Sequence, residues 1–468
     1  MRYLYIPLEI VVRELDGKAL LAFEAVLRGW KVIICSKRQF FNNIDKLPAG
    51  HVIIKSAVPN ELKQIKKIRN SGHKIFLLDE EGVVTYDIFL KGNYRYNEDT
   101  IKLIDAFFFW GQKQHRIFSE SYPKFQNIGF NTGAPRYQFW KTKAQSFYKN
   151  EIDNLRREYG KYILFNTSFG IANNYLSGEG LQSSYNDMSN VANPELRQFL
   201  EDQHDINYIA YKEYLQFIEE LAVEFNDINI IVRPHPSESE RTWQEFSKKL
   251  SNVKIVYSEA VTPWIAASEV MIHFKSTTSI EANVMGVPVV TYLPNVPEYL
   301  SKFHLEVPKQ ASLACFSRSD AIEAIKKVVY NGHDAKGDIS NCEWINDNSK
   351  SAADIMDIID NKSTQTESIL NINAIKSNDT VKVRLDRIIV ELNRVKLIKR
   401  FLPKKFIRHD DKYIYGKRKE SGFKKSKIKS LIDYLGKDVD HMPKIQVKEI
   451  AEKMVLLEVN HHVTKPKD

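Results

Sequence analysis

The sequence predicts an α/β protein built from two doubly wound domains. Two observations carry this. Short apolar runs alternate with amphipathic helical patterns through the first third of the chain, and a second series of the same kind begins near Lys161. At 468 residues the chain is also long enough for two or three domains of ~100–200 residues each. Apolar runs separated by helices are the mark of parallel strands buried on both faces. A content of 43% hydrophobic and 27% charged residues excludes wholesale disorder.

In order, the first series places strands at Tyr3–Ile6, Lys31–Cys35, His51–Ile54, Lys74–Leu78 and Ala106–Trp110, with helices such as Ala19–Arg28 and Leu62–Ser71 between them. The second places strands at Tyr162–Phe165, Ile228–Val232, Val253–Tyr257, Glu269–His273 and Val287–Tyr292. Helices at Lys212–Glu224, Thr242–Leu250, Thr277–Met285 and Ser319–Val329 separate those. The expected division is a Rossmann-like domain over 1–150, a second over 151–360, a linker over 361–380 and a basic helical extension over 381–468. Two such domains facing one another are expected to form a cleft at the carboxyl ends of their strands. Neither carries a GxGxxG or Walker A loop, which removes dinucleotide and P-loop readings.

Composition narrows the class further. Cys35, Cys315 and Cys342 lie too far apart for a disulfide framework or a zinc site, so a cytoplasmic protein is expected. No apolar run approaches the ~20 residues of a membrane span, and the N-terminus reads as a first strand rather than a signal peptide. The net charge of +9 is unevenly distributed. Residues 371–468 hold 25 Lys and Arg against 13 Asp and Glu, so the remainder is slightly acidic. This argues against a nucleic-acid enzyme and for a near-neutral machine with a basic appendage.

Two segments break the α/β rhythm. Gly170–Asn193, rich in Gly, Ser and Asn, reads as a long loop and a candidate lid. Beyond the linker, Leu385, Ile388, Leu392, Val395 and Leu402 recur at helical spacing among Arg387, Arg394, Lys396 and Arg400, with Lys424, Lys425, Lys427 and Lys429 further on. A basic amphipathic stretch suits contact with an anionic membrane surface; the alternative is a helix packed on the protein with its charges solvated.

Chemistry concentrates at four strand ends. Asp79-Glu80-Glu81-Gly82 follows the fourth strand, where a carboxylate on a rigid mount can act as a general base; a solvated acidic turn looks the same. Arg233-Pro234-His235-Pro236 closes another strand with a His whose geometry two prolines restrict, suited with Arg233 to gripping a phosphate. Lys275-Ser276-Thr277-Thr278 leads into a helix containing Glu281, with hydroxyls and free amides that suit either an anion or plain capping. Asn166-Thr167-Ser168 ends the first strand of the second domain in hydrogen-bonding side chains. Glu9, Arg13, Glu14 and Lys18 leave the first strand as a weaker ligand-binding candidate, equally a salt-bridged helix start. Trp110, Trp140 and Trp264 read as packing residues.

The ordered set of an acidic-acidic-Gly motif, a His-Pro motif and a Ser/Thr motif resembles bacterial sialyltransferases and related CMP-sugar transferases of GT-B fold. It is also similar to proteins called surface carbohydrate biosynthesis proteins, including Pro7-Leu8-Glu9 and Thr132-Gly133-Ala134-Pro135-Arg136. The resemblance covers about residues 1 to 360. It implies inverting, metal-independent transfer of a 2-keto sugar acid (sialic, pseudaminic, legionaminic or Kdo type) from a CMP-activated donor to a capsule or O-antigen precursor, with no cofactor. By this resemblance Glu80 or Glu81 would be the base, and Asp79 leaves that assignment ambiguous. His235 would meet the donor phosphate and stabilise or protonate the leaving group. Ser276 and Thr277 would bind the same phosphate, and Pro236 would shape the turn. Asn166, Thr167, Ser168, Arg233, Lys275, Thr278 and Glu281 complete the expected donor side, with Glu9, Arg13, Glu14 and Asp79 on the acceptor or sugar-acid side. The expected partners are the nucleotide sugar, a glycan or lipid-linked glycan acceptor and the inner face of the plasma membrane, with no nucleic acid. The alternatives are a CDP-glycerol-type polyol-phosphate transferase, a GT-B enzyme using a UDP-sugar, and a non-catalytic scaffold.

Overall fold

The computed structural model describes residues 1–83, 86–91, 94–175, 193–257, 260–375, 419 and 421–460. The described residues divide into two compact units, one of residues 1–143 with 342–375 and 421–460, the other of residues 144–341.

In the first unit, β1 (Tyr3–Leu8), β2 (Lys31–Ser36), β3 (His51–Ile54), β4 (Lys74–Leu78), β5 (Ala106–Phe108) and β6 (Gly129–Phe130) pair in parallel in the order β2-β1-β3-β4-β5-β6. Their side chains are apolar on both faces, and Val32 through Ser36 are all buried. Helix Val11–Leu27 covers the sheet, and its first turn is closed from within. The Glu14 carboxylate accepts the N–H groups of Ile10 at 2.7 Å and Glu9 at 3.3 Å. Gly17 on this helix lies so close to helix Pro135–Thr142 that a Cβ would stand 2.7 Å from the backbone nitrogen of Arg136.

The second unit has the order β12-β11-β10-β7-β8-β9, again all parallel. Its strands are β7 (Tyr162–Asn166), β8 (Asn229–Arg233), β9 (Val253–Ile255), β10 (Val270–His273), β11 (Val289–Tyr292) and β12 (Leu313–Cys315). The long helix Pro194–Glu224 starts at Asn193, whose side chain accepts from the N–H of Leu196, with Pro194 in the first turn where no N–H is needed. The two expected Rossmann-like α/β domains are therefore present.

Two boundaries differ from the sequence expectation. The first unit ends at 143 rather than 150, and the second ends at 341 rather than 360. Residues 342–360 return to the first unit because their polar groups are satisfied there. Asn346 donates its N–H to the Trp110 carbonyl at 2.6 Å. In helix Ser351–Asn361, Asp360 takes Arg2 at 2.5 Å and the Trp30 indole N–H at 3.0 Å. The first part of the expected linker, 361–375, runs along the amino ends of the same sheet, with Met1 and Thr366 exchanging hydrogen bonds and Leu370 bonded to the Tyr3 hydroxyl.

The expected helical extension contains a helix, Lys425–Leu435, and then a hairpin that helical spacing did not reveal. Strands β13 (Ile445–Ala451) and β14 (Met454–Val459) pair antiparallel, and β14 lies antiparallel on the free edge of β2. The apolar face of the helix, Ile428, Leu431, Ile432 and Leu435, is buried and packs on helix Val11–Leu27. For these residues the packing alternative holds over membrane contact. The basic run from Leu385 to Arg418 lies outside the described residues, as do residues 176–192 of the candidate lid. No described helix is long and apolar enough to cross a membrane.

The hairpin completes the first sheet. Leu457 is fully buried opposite Val32. Leu457→Ala is expected to destabilise the first unit by about 2–5 kcal/mol, read as a lowered denaturant midpoint. A loss under ~0.5 kcal/mol would show that the hairpin does not pack there.

Candidate functional site

Strand register brings the polar ends of the second unit into one row. Asn166 at the end of β7 is opposite Arg233 on β8 and opposite His273 on β10. Adjacent strands stand about 4.8 Å apart, so the three residues span roughly 10 Å. The chain winds one way from β7 through β8 to β9, then restarts at β10 on the other side of β7. The crossovers diverge at that reversal, and their divergence opens a crevice at the carboxyl ends of the strands.

The loops leaving this row are held by a carboxylate that the sequence reading passed over. Glu238 is wholly buried. Its Oε1 accepts the Thr167 hydroxyl at 2.6 Å, the Phe169 N–H at 2.8 Å and the His235 N–H at 3.2 Å. Its Oε2 accepts the Trp243 indole N–H at 2.8 Å. Burial raises its pKa to about 7 although all four donors favour the charged form. Its place three residues after His235, next to an ST-rich turn, was the available signal. Gly170 packs against the same junction, where a Cβ would press on the Ser237 hydroxyl. The start of the expected lid is thereby pinned, with the Tyr175 N–H on the Ser237 carbonyl and the Ser239 N–H on the Asn173 carbonyl, each at 2.9 Å.

His235 is exposed on this mount between buried Pro234 and half-buried Pro236. The Ser237 backbone N–H donates to His235 Nδ1 at 3.3 Å, and the Ser237 hydroxyl lies 2.7 Å from the same nitrogen. A neutral imidazole accepting at Nδ1 carries its proton on Nε2. Arg233 is buried, its guanidinium 5.0 Å from the Trp264 ring centre, and Trp264 is the packing residue expected.

On the other side, His273 is wholly buried and held neutral, its pKa pushed down to about 3 by burial. It accepts the Ser276 N–H at Nδ1 (3.3 Å) and bonds Ser312 through Nε2 (2.7 Å), which fixes the loop carrying Lys275, Ser276 and Thr277. Ser276 and Thr278 share a hydroxyl contact at 2.8 Å, and Asn166 Nδ2 donates to Thr278 at 3.1 Å. Asn166 Oδ1 and Ser168 Oγ are buried with no hydrogen-bond partner among the described residues. Lys275 has no carboxylate within ion-pair distance among the described residues, and burial lowers its pKa to about 8. It remains mostly charged at neutral pH. Glu281 is not on this loop's polar face as expected; it is buried and takes the Thr262 hydroxyl at 2.5 Å.

In the first unit the acidic motif is ion-paired throughout. Asp79 is wholly buried; Arg95 and the Tyr96 hydroxyl hold its carboxylate, and the Glu81 N–H donates to it at 2.9 Å. Asp79 is thereby a clamp for the turn, not an open ligand group. Glu80 is buried between Lys18 at 3.3 Å and Arg136 at 3.5 Å, with Arg136 seated between Trp110 and Trp140. Glu14 is buried as the helix cap, and burial followed by the Glu80 charge raises its pKa. Glu81 is the most exposed of the three acids. Burial would raise its pKa, but Arg13 at 3.1 Å, Arg95 at 3.4 Å and the Lys55 charge outweigh it and hold it near about 2. Glu9 pairs with Lys37 at 3.4 Å and Lys55 at 3.3 Å. The spacing of Arg95 and Arg136 from the acids in sequence gave no signal of these pairs.

No protein-family model and no curated protein matches the chain. Among solved structures it is similar to a UDP-GlcNAc 2-epimerase from Neisseria meningitidis bound to UDP-GlcNAc (14% identity, TM-score 0.46, 78% of this chain and 100% of that one). It is similar to the UDP-GlcNAc 2-epimerase of Methanocaldococcus jannaschii (13%, TM-score 0.47, 77% and 100%). It is also similar to the wall teichoic acid polymerase TagF (12%, TM-score 0.39, 66% and 71%). At these scores the likenesses carry no functional inference.

Glu238 generates a prediction of its own. A carboxyl whose folded-state pKa lies above its unfolded value of ~4.3 favours folding at low pH, and that contribution fades as pH rises from about 4 to 7. Trp243 reports the change through its indole N–H, and the charge also reaches Tyr211. Trp243 fluorescence is expected to titrate with a midpoint near about 7 and to lose that transition in Glu238→Gln. A profile flat from about pH 5 to 9 would show a carboxyl locked in one state.

Proposed function

We propose that this chain is an inverting glycosyltransferase that moves a 2-keto sugar acid from a CMP-activated donor to a hydroxyl of a cell-surface glycan precursor. The observation that carries the reading is the row of strand ends Arg233, Asn166 and His273 at the winding reversal of the second unit. Lys275 without an ion-pair partner among the described residues, exposed His235, and Asn166 and Ser168 oxygens unpartnered among the same residues border that row. A cation without a counter-ion beside unsatisfied polar atoms is a built place for an anion. The choice of CMP, and of the sugar acid, is supported by the sequence resemblance over residues 1 to 360.

In this mechanism the acceptor oxygen attacks the anomeric carbon as the bond from that carbon to the CMP phosphate oxygen breaks, with inversion. His235 Nε2–H donates to the leaving phosphate, and Lys275 balances its developing charge in a site of low dielectric. Ser276 and Thr278 hydroxyls orient the same phosphate. The resemblance assigns the acceptor's proton to Glu80 or Glu81, and Glu81 is the exposed member of the motif. A carboxylate near pKa 2 is always ionised but weakly basic. Proton transfer therefore follows bond cleavage, when the oxocarbenium-like carbon has made the attacking hydroxyl acidic. No metal or cofactor is invoked. The identity of the acceptor and contact of the basic segment with an anionic membrane belong to the same proposal.

A thermal-shift series with CMP, CDP and UDP tests the donor class, because a ligand that binds only the folded state raises the melting temperature. CMP is expected to stabilise most. A preference for CDP would favour polyol-phosphate transfer instead, and a preference for UDP would overturn the sugar-acid reading. His235→Ala is expected to lower turnover by ~10²–10⁴-fold with an unchanged circular dichroism spectrum. CMP affinity is expected to be greatest below about pH 8 and to fall above it as Lys275 loses its proton, a dependence that Lys275→Met removes. A pH-independent affinity in the parent chain would take Lys275 out of the site.

A further inference from the structure

The loop after β11 brings one more side chain to the carboxyl ends of the second sheet. β11 lies beside β10 and ends at Tyr292, one position past the pairing of His273 with Thr291. The chain then passes Pro294, Pro297 and a short helix, Glu298–Ser301, before reaching Phe303 and His304. Leu300 and Phe303 are fully buried, and Phe303 packs on Phe199 of helix Pro194–Glu224 with ring centres 4.8 Å apart. The His304 backbone N–H donates to the Ser301 carbonyl at 3.0 Å. The Ser312 hydroxyl, already bonded to His273, donates to the Pro308 carbonyl at 2.7 Å and ties the segment after His304 to the β10 loop. Its neighbours therefore hold His304 in place, and its ring is left free for other contacts.

That imidazole is half-buried and stands edge-on to Phe274, ring centres 6.1 Å apart. The Lys275 ammonium lies 5.7 Å from the centre of the same phenyl ring. His304 Nε2 is buried and has no hydrogen-bond partner among the described residues. A histidine kept only for packing would have that nitrogen bonded, since a buried polar atom left unmade costs free energy. The charges that reach the ring are both positive, Lys309 first and then Lys275. Glu306 on the next helix is exposed, and Asp202 on helix Pro194–Glu224 is taken by Lys302 at 2.9 Å. Burial and the two ammonium groups hold the imidazole below its usual pKa, so it is mostly neutral at pH 7. A ring nitrogen beside an ammonium group, with no carboxylate for either among the described residues, is arranged to receive an anion.

We propose that His304 is a further phosphate-binding residue of this site, its Nε2–H donating to a phosphate oxygen that Lys275 also meets. The inference rests on the reading that the row of strand ends holds a nucleotide phosphate, and it adds a residue that the sequence resemblance does not assign. A bound phosphate offsets the two ammonium charges, so the imidazole takes up a proton more readily once the nucleotide is in place.

NMR of the full chain with isotope-labelled histidine tests this, the His304 ring signals being identified by their loss in His304→Gln. Saturation with CMP, CDP or UDP is expected to raise the His304 titration midpoint by at least about one pH unit, and cytidine, which lacks the phosphate, to leave it in place. His304→Leu is expected to weaken CMP binding at least ~10-fold, whereas His304→Gln, whose amide N–H reaches a similar distance, keeps most of the affinity. Should His304→Leu fail to fold, the titration of the parent chain decides. A midpoint unmoved by every nucleotide, an equal shift with cytidine, or CMP affinity indifferent to His304→Leu overturns the inference. A shift produced by UDP and not by CMP would contradict the donor reading and leave His304 standing. CMP binding with an unmoved midpoint would do the reverse.

Discussion

Parallel strands cannot be joined by tight turns, so each needs a crossover, and the direction in which crossovers run decides where a sheet is left uncovered. In the second unit the chain restarts on the far side of β7 after β9, and the register then sets Arg233, Asn166 and His273 side by side. Every loop of the candidate site leaves from this row. Glu238 fastens the loops after β7 and β8 to each other, and His273 fastens the loop after β10. Exposed His235 and partly buried Lys275 are carried on backbone that buried groups already hold, so little ordering remains for a ligand to impose.

The first unit uses buried charge differently. Asp79, Glu80 and Glu81 are consecutive, and each is paired: Arg95 is shared by Asp79 and Glu81, Arg13 adds to Glu81, and Lys18 and Arg136 hold Glu80. Such pairs add little net stability over apolar residues, but removing one partner strands a buried charge, at a cost of about 3–5 kcal/mol. The pairing therefore fixes the geometry of the turn and leaves Glu81 as the carboxylate nearest solvent. It also sets the acid–base character of that residue, far from the near-neutral pKa of an optimal base.

Strand positions were legible in the sequence because buried parallel strands are written as local apolar runs; His51–Ile54 and Lys74–Leu78 coincide with β3 and β4. The convergence of three strand-end motifs was legible for the same reason, since strand order follows from alternating β and α segments. What was not legible depends on partners distant along the chain. Glu81 drew attention as an acid, but its low pKa comes from Arg13 and Arg95. Glu281 looked like a ligand group because its partner, Thr262, lies on another helix. The hairpin of β13 and β14 was hidden because its pairing is with β2, more than four hundred residues earlier. The return of residues 342–360 to the first unit is equally a matter of long-range bonds, through Trp110 and Trp30.

The central claim is that the carboxyl ends of β7, β8 and β10 hold a nucleotide monophosphate. Backbone hydrogen exchange measured with and without CMP reads this directly, because a bound phosphate slows opening of the amides around it. The account predicts added protection in Asn166–Gly170, in His235–Ser239 and in Phe274–Thr278 together. Protection confined to other segments, or none at saturating CMP, would contradict it.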